Sequence, residues 1–280
     1  MELVAMSQSA PTQLVTLPAL PYVAHEILLK INNHEPSISH VAAALGQEPS
    51  VTARVIAMAN SAYFAQQRPT YSLEEAITRL GLNRVRVMAV STLLAQQFDP
   101  TKCPSFHAEQ YWRNAVSAAF TATRLGREVA LGPDADAAYL AGLLHNIGML
   151  LLVCVEPEAM SRVFSAHRRY PERSLSQHCH DELGYDHHAA GHLLLREWQL
   201  PEAVVTVVGA FRDPDYQGPH KRLVQLIRLS VTWVEAEFLV RPDNSAFPEL
   251  STHRLQRIGK DCLREQEHLE ALTRLLAGGA

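Results

Sequence analysis

From Ala137 to Val155 the chain reads AAYLAGLLHNIGMLLLVCV, with no charged residue between Asp136 and Glu156. The run has the length of a membrane span. The polar pair His145–Asn146 at its middle and acids rather than Lys or Arg at its flanks argue for a helix buried by other helices instead. Around it, apolar positions recur with helical spacing. Val23, Ile27, Leu28 and Ile31 share one face of a helix predicted over 21–33, entered at Pro21. Ser37 or Ser39 starts a short helix that stops at Gly46, and Pro49 and Ser50 start another that ends at Asn60. Ser72 and Glu75 have capping-box spacing for a helix closed by Gly81. Further helices are predicted over 83–98, 107–129, 136–155, 157–167, 174–183, 186–198, from Pro201, over 220–238, and beyond 253. No sustained alternation of period two occurs, so the pattern predicts an all-α protein.

Pro100 and Pro104 in FDPTKCPS mark the best linker. The expected organisation is a flexible tail (1–16), an N-terminal helical lobe (17–98), a helical bundle (107–212) and a C-terminal helical extension (213–280).

A net charge of −4 with 19% charged residues excludes a polycation for nucleic acid or membrane. Cys103, Cys154, Cys179 and Cys262 are widely spaced and form no CxxC, which suits a reducing cytoplasm rather than a disulfide or zinc framework. MELVAMSQSAPTQL carries no secretion signal. Fourteen histidines are the one compositional hint of metal or phosphate chemistry.

His145–Asn146 resembles the HD signature of metal-dependent phosphohydrolases, in which an adjacent His and Asp share one ion. Here Asn146 offers a neutral amide oxygen where a divalent ion wants a carboxylate. A second group, HCHDELGYDHHAAGH, puts His188 and His192 at i and i+4, a spacing able to chelate zinc or nickel adventitiously. A structural role for these histidines is the plainer reading. VAAALGQEPSVTARVIAMA has the shape of a helix-turn-helix, but its second helix presents Val51, Val55, Ile56 and Met58 with only Arg54 for a phosphate. Arg79, Arg84 and Arg86 gather in one place, either as solvated helix ends or as a surface for an acidic partner.

LPALPYVAHEIL, EPSVTARVIAMANSAYF, SLEEAITRLGLNRVRVMAV, YWRNA, AGLLHNIGMLLL and GYDHHAAGHLLLREWQLP, in that order, resemble the HDOD family of bacterial regulatory domains. The resemblance runs from about Leu17 to Phe211. It implies an N-terminal lobe packed on an HD-domain/PDEase-like helical bundle without the metal-binding set, and a role in signal transduction. By that resemblance the early His after Trp-Arg is replaced by Asn114 and the paired Asp by Asn146, no closing Asp occurs over 220–238, and His145 alone remains. The resemblance also implies that in GYDHHAAGHLL Asp186 caps a helix start and His187 supports its turn, while Gly191 would allow close packing. The expectation is a cytoplasmic bacterial pseudoenzyme with no cofactor and no metal. It would recognise protein partners of a signalling pathway, or a nucleotide, with neither DNA nor membrane as target. The alternatives are a degenerate metal phosphohydrolase acting on a nucleotide or phosphodiester, and a helix-turn-helix DNA binder.

Overall fold

The computed structural model describes residues 18–20, 25, 37–61, 64 and 68–276; the expected tail (1–16) and most of the helix expected over 21–33 lie outside them. Every regular element among these residues is helical, as the absence of period-two patterning requires.

The N-terminal lobe contains α1 (Ile38–Leu45), α2 (Pro49–Ala59), α3 (Leu73–Leu80) and α4 (Leu82–Gln97). Ser37 begins α1 by accepting a bond from the His40 amide, and Pro49 fits the first turn of α2, where no intrahelical donor is needed. Asn60 closes the following loop with two bonds to Thr70, Nδ2 to the carbonyl at 2.7 Å and Oδ1 from the amide at 2.8 Å. Ser72 caps α3, but the capping box is only half made. Thr70 Oγ1 serves the Ser72 amide, and the Glu75 carboxylate goes to Thr70 and Arg79. Val51, Val55 and Met58, the face a groove-reading helix would need, are buried in the lobe.

The rest is arranged around α5 (Ala108–Gly126), whose Ala115, Ala118, Ala119 and Ala122 form a small-residue surface that neighbouring helices approach closely. Against α5 lie α4, α6 (Ala137–Leu144), α12 (Lys221–Glu235) and α13 (Thr252–Leu276). The segment expected as a C-terminal extension is therefore built onto the central helix. Gly142 of α6 marks the tightest approach: a Cβ there would fall 2.9 Å from the Ala118 carbonyl oxygen. The expected linker is a packed connection, with a 3-10 turn at Pro100–Lys102, Asp99 capping Thr101, and Cys103 buried.

The apolar run differs from the single helix expected. It forms two helices, α6 and α7 (Ile147–Val155), separated at His145 and Asn146, where Asn146 leaves helical geometry (φ −121°, ψ 22°). The break falls at the one polar step in the run, where the His145 ring turns back onto the Gly142 carbonyl. The stretch 137–155 is long and apolar enough to cross a membrane, and 83% of its most apolar window is buried inside the protein.

Beyond α7 follow α8 (Pro157–Arg169), α9 (Leu175–Leu183), α10 (His187–Glu197) and α11 (Glu202–Ala210). Ser174 and Gln177 complete a reciprocal capping box on α9, and Gly184 ends that helix in the left-handed conformation (φ 80°).

Candidate functional site

The candidate site lies where the start of α7 meets the start of α10. His145 ends α6 with its ring turned back onto the last turn, Nδ1 lying 2.8 Å from the Gly142 carbonyl oxygen. A carbonyl only accepts, so Nδ1 carries the proton and Nε2 presents a lone pair. Asp186 starts α10 as the sequence indicates, its Oδ1 accepting from the Ala189 amide at 2.9 Å. His187 and His188 are thus the first two residues of α10, and both are buried.

Two glycines bring these ends together. A Cβ on Gly148 would sit 1.9 Å from the His187 carbonyl oxygen and 2.4 Å from the Gly191 amide nitrogen, and one on Gly191 would sit 3.0 Å from the Gly148 nitrogen. Only bare backbone permits this crossing, so Gly191 has the packing role expected of it. The crossing delivers His187 and His188 to the α6–α7 break. Phe211, following α11, walls the cluster, with ring centroids 5.4 Å from His145 and 5.0 Å from His188; the His187 and His188 rings are 4.0 Å apart. Behind His187, the Cys179 thiol lies 3.8 Å from Nδ1.

Burial decides the charge state. It lowers the His145 and His188 imidazoles from 6.5 to about 4, and it holds His187 well below its ordinary value with further help from His188. Arg212, stacked on Phe211 at 5.0 Å, adds a repulsive charge to all three. The cluster is therefore neutral at pH 7. Two buried polar atoms in it have no hydrogen-bond partner, His188 Nδ1 and Asn146 Oδ1.

The remaining positions of an HD-type site do not supply a carboxylate. Asn114 is half-buried on α5, one turn before Ala118. On α12, where a closing Asp would be sought, Ser230 is buried and bonded to the Leu226 carbonyl at 2.8 Å. Glu235, near the end of α12, is the acid that sequence reasoning passed over; it influences His145 but is engaged by Arg212 through two contacts, one of 3.1 Å. Three neutral rings and the Asn146 amide, with one Asp186 oxygen held by the Ala189 amide and Glu235 paired to Arg212, are a poor set for a catalytic divalent ion, which needs anionic oxygen to offset its charge. Among the described residues, no group of three or more His, Cys, Asp or Glu side chains is placed to hold an ion. His192 is occupied elsewhere, with Nδ1 3.2 Å from the Val205 carbonyl oxygen.

The arginines considered as a partner surface are not an exposed basic patch. Arg79 is almost wholly covered and donates to Glu75 and the Arg68 carbonyl. Arg84 forms a two-pronged pair with Glu265 of α13, a partner too distant in sequence to anticipate. Arg86 is partly buried near Tyr139 and Asp136, and burial lowers its pKa.

Residues 17–214 match the HDOD domain. A protein of Treponema pallidum (strain Nichols), described only as uncharacterized, is 26% identical over 240 residues, which is 83% of this chain and 45% of that one. Among solved structures, a Marinobacter aquaeolei VT8 protein named for signal transduction aligns with a TM-score of 0.79 at 24% identity, over 93% of this chain and 60% of its own. This chain thus spans about half the length of these two relatives. An HDOD domain protein of unknown function from Geobacter sulfurreducens (TM-score 0.66, 21% identity) covers 94% of this chain and 92% of its own. A Shewanella amazonensis SB2B protein named as a phosphohydrolase (TM-score 0.66, 22% identity) covers 94% of each chain. At these identities the structural likeness establishes the helical HD-like fold. With the domain match extending over most of its length, the chain belongs to the HDOD domain family.

Proposed function

We propose that this protein is a non-catalytic regulatory component of bacterial signal transduction that acts in the cytoplasm by recognising a protein partner. The observation that carries this reading is the character of the candidate site. His145 is buried and neutral, its Nδ1 proton is committed to Gly142, and the two positions that by the family resemblance would complete an ion-binding set are Asn114 and Asn146. Such a cluster commits its nearby carboxylates, Asp186 to the Ala189 amide and Glu235 to Arg212, and has no imidazole poised near pH 7 for general acid–base work. Family membership and the signal-transduction name of the Marinobacter relative agree with a signalling role. The free state of all four cysteines agrees with a reducing compartment.

The test combines composition with turnover. Untagged protein purified without chelator is analysed for Mn, Fe, Ni and Zn, then incubated with cyclic and linear dinucleotides and a generic phosphodiester with each metal supplied. The expected result is far less than one metal per chain and no hydrolysis above the His145→Ala variant. A stoichiometric metal with hydrolysis abolished by His145→Ala would overturn the proposal and restore the phosphohydrolase reading.

A further inference from the structure

The last helix, α13, lies outside the residues matched to the HDOD domain, yet it touches both the N-terminal lobe and the central bundle. Leu255, Ile258, Cys262 and Glu265 follow one another on one face of it, and all four are buried. The first three are apolar anchors; beside them Gly259 lets the helix approach Trp233, and Thr121 of α5 contacts the Cys262 thiol at 3.5 Å. Two arginines at the start of α13, Arg254 and Arg257, also reach Glu128 beyond α5, at 3.6 and 2.6 Å.

Glu265 is different, because it is a charge in a covered position. Its carboxylate accepts from Arg84 of α4 at 2.5 Å (Nε) and 3.0 Å (Nη2), and lies 3.7 Å from Arg124 of α5. The Glu265 side chain is 7% exposed and that of Arg84 26%. Arg84 is itself fixed by a bond to the Leu80 carbonyl at 3.0 Å and by the Phe64 ring at 5.2 Å. One carboxylate therefore joins lobe, bundle and terminal helix.

We propose that α13 is a two-part strap. Its first half, 252–262, is fixed to the bundle by apolar contact. Its second half is latched to the N-terminal lobe through Glu265, so that residues outside the HDOD match determine how the lobe is held. A buried ion pair adds little net stability compared with apolar packing, but losing one partner strands the other charge. Without Arg84, Glu265 keeps only the longer contact to Arg124 of the bundle. Any signal acting on the end of α13 would reach the N-terminal lobe through Arg84.

Amide hydrogen exchange, read by mass spectrometry on the full chain, tests this with Arg84→Gln, Glu265→Gln and the double variant. In Arg84→Gln, exchange over 263–276 and over 82–97 is expected to quicken together by about tenfold, while 252–262 and α5 stay near wild type. Adding Glu265→Gln is expected to restore part of the protection, because the buried carboxylate left with Arg124 alone is gone. Unchanged exchange in Arg84→Gln would overturn the latch. So would uniform quickening along α13, which signals general destabilisation, or simple additivity of the two substitutions.

Discussion

Gly148 and Gly191 meet backbone to backbone where α7 crosses α10, and the space for a side chain on Gly148 is already filled by the His187 carbonyl. The consequence is that a methyl group is the most direct probe of the candidate site. Gly148→Ala must separate the helices and is expected to destabilise by at least about 3 kcal/mol, measured as a shift in urea midpoint. Gly209→Ala is the comparison. There the obstacle is the His192 ring, a side chain able to turn aside, and the expected loss is about 1 kcal/mol.

Acid should unfold this protein through its buried imidazoles. His145 and His188 titrate near 4 when folded and near 6.5 when not, so below pH 6.5 the unfolded chain binds more protons. Stability is therefore full above pH 6.5 and is lost as pH falls toward 4, by on the order of 3 kcal/mol for each ring. Urea titrations at intervals from pH 7.5 to 4 should show this decline. His188→Phe should reduce its slope by about 1.4 kcal/mol per pH unit.

The protonation pattern of His145 is directly observable. Nitrogen-15 spectra at pH 7 should place the proton on Nδ1, because that atom faces the Gly142 carbonyl. A proton on Nε2 would contradict the geometry.

Thiol reactivity should be low in the folded protein. Burial raises Cys179 to about 12 and Cys154 and Cys262 to about 11, so little thiolate exists at pH 8. Native protein should react with a disulfide reagent at these positions at least about a hundredfold more slowly than a free thiol, and denaturant should release all four cysteines.

Much of the fold is legible in local signals. Ser37 and Asp186 each mark a helix start through contacts within a few residues, and each is found in that role, whereas the Ser72–Glu75 spacing yields only half of a capping box. The family resemblance implies that the replaced positions are Asn114 and Asn146. What local pattern hides is tertiary. Nothing near Arg84 signals Glu265, so a paired arginine looks like a solvated one. The break after His145 opens onto the Gly148–Gly191 crossing, half of which lies on another helix. His188 reads as one of an i, i+4 pair, whereas the fold turns it onto Phe211 and leaves His192 with Val205.

The divided apolar run also bears on how the chain is made. α5 precedes α6 and is available to cover it during synthesis, but α10, which covers α7, emerges later. At roughly 5–20 residues per second, the ribosome leaves IGMLLLVCV without its crossing helix for a few seconds. In that interval the nascent segment is a natural client for chaperones.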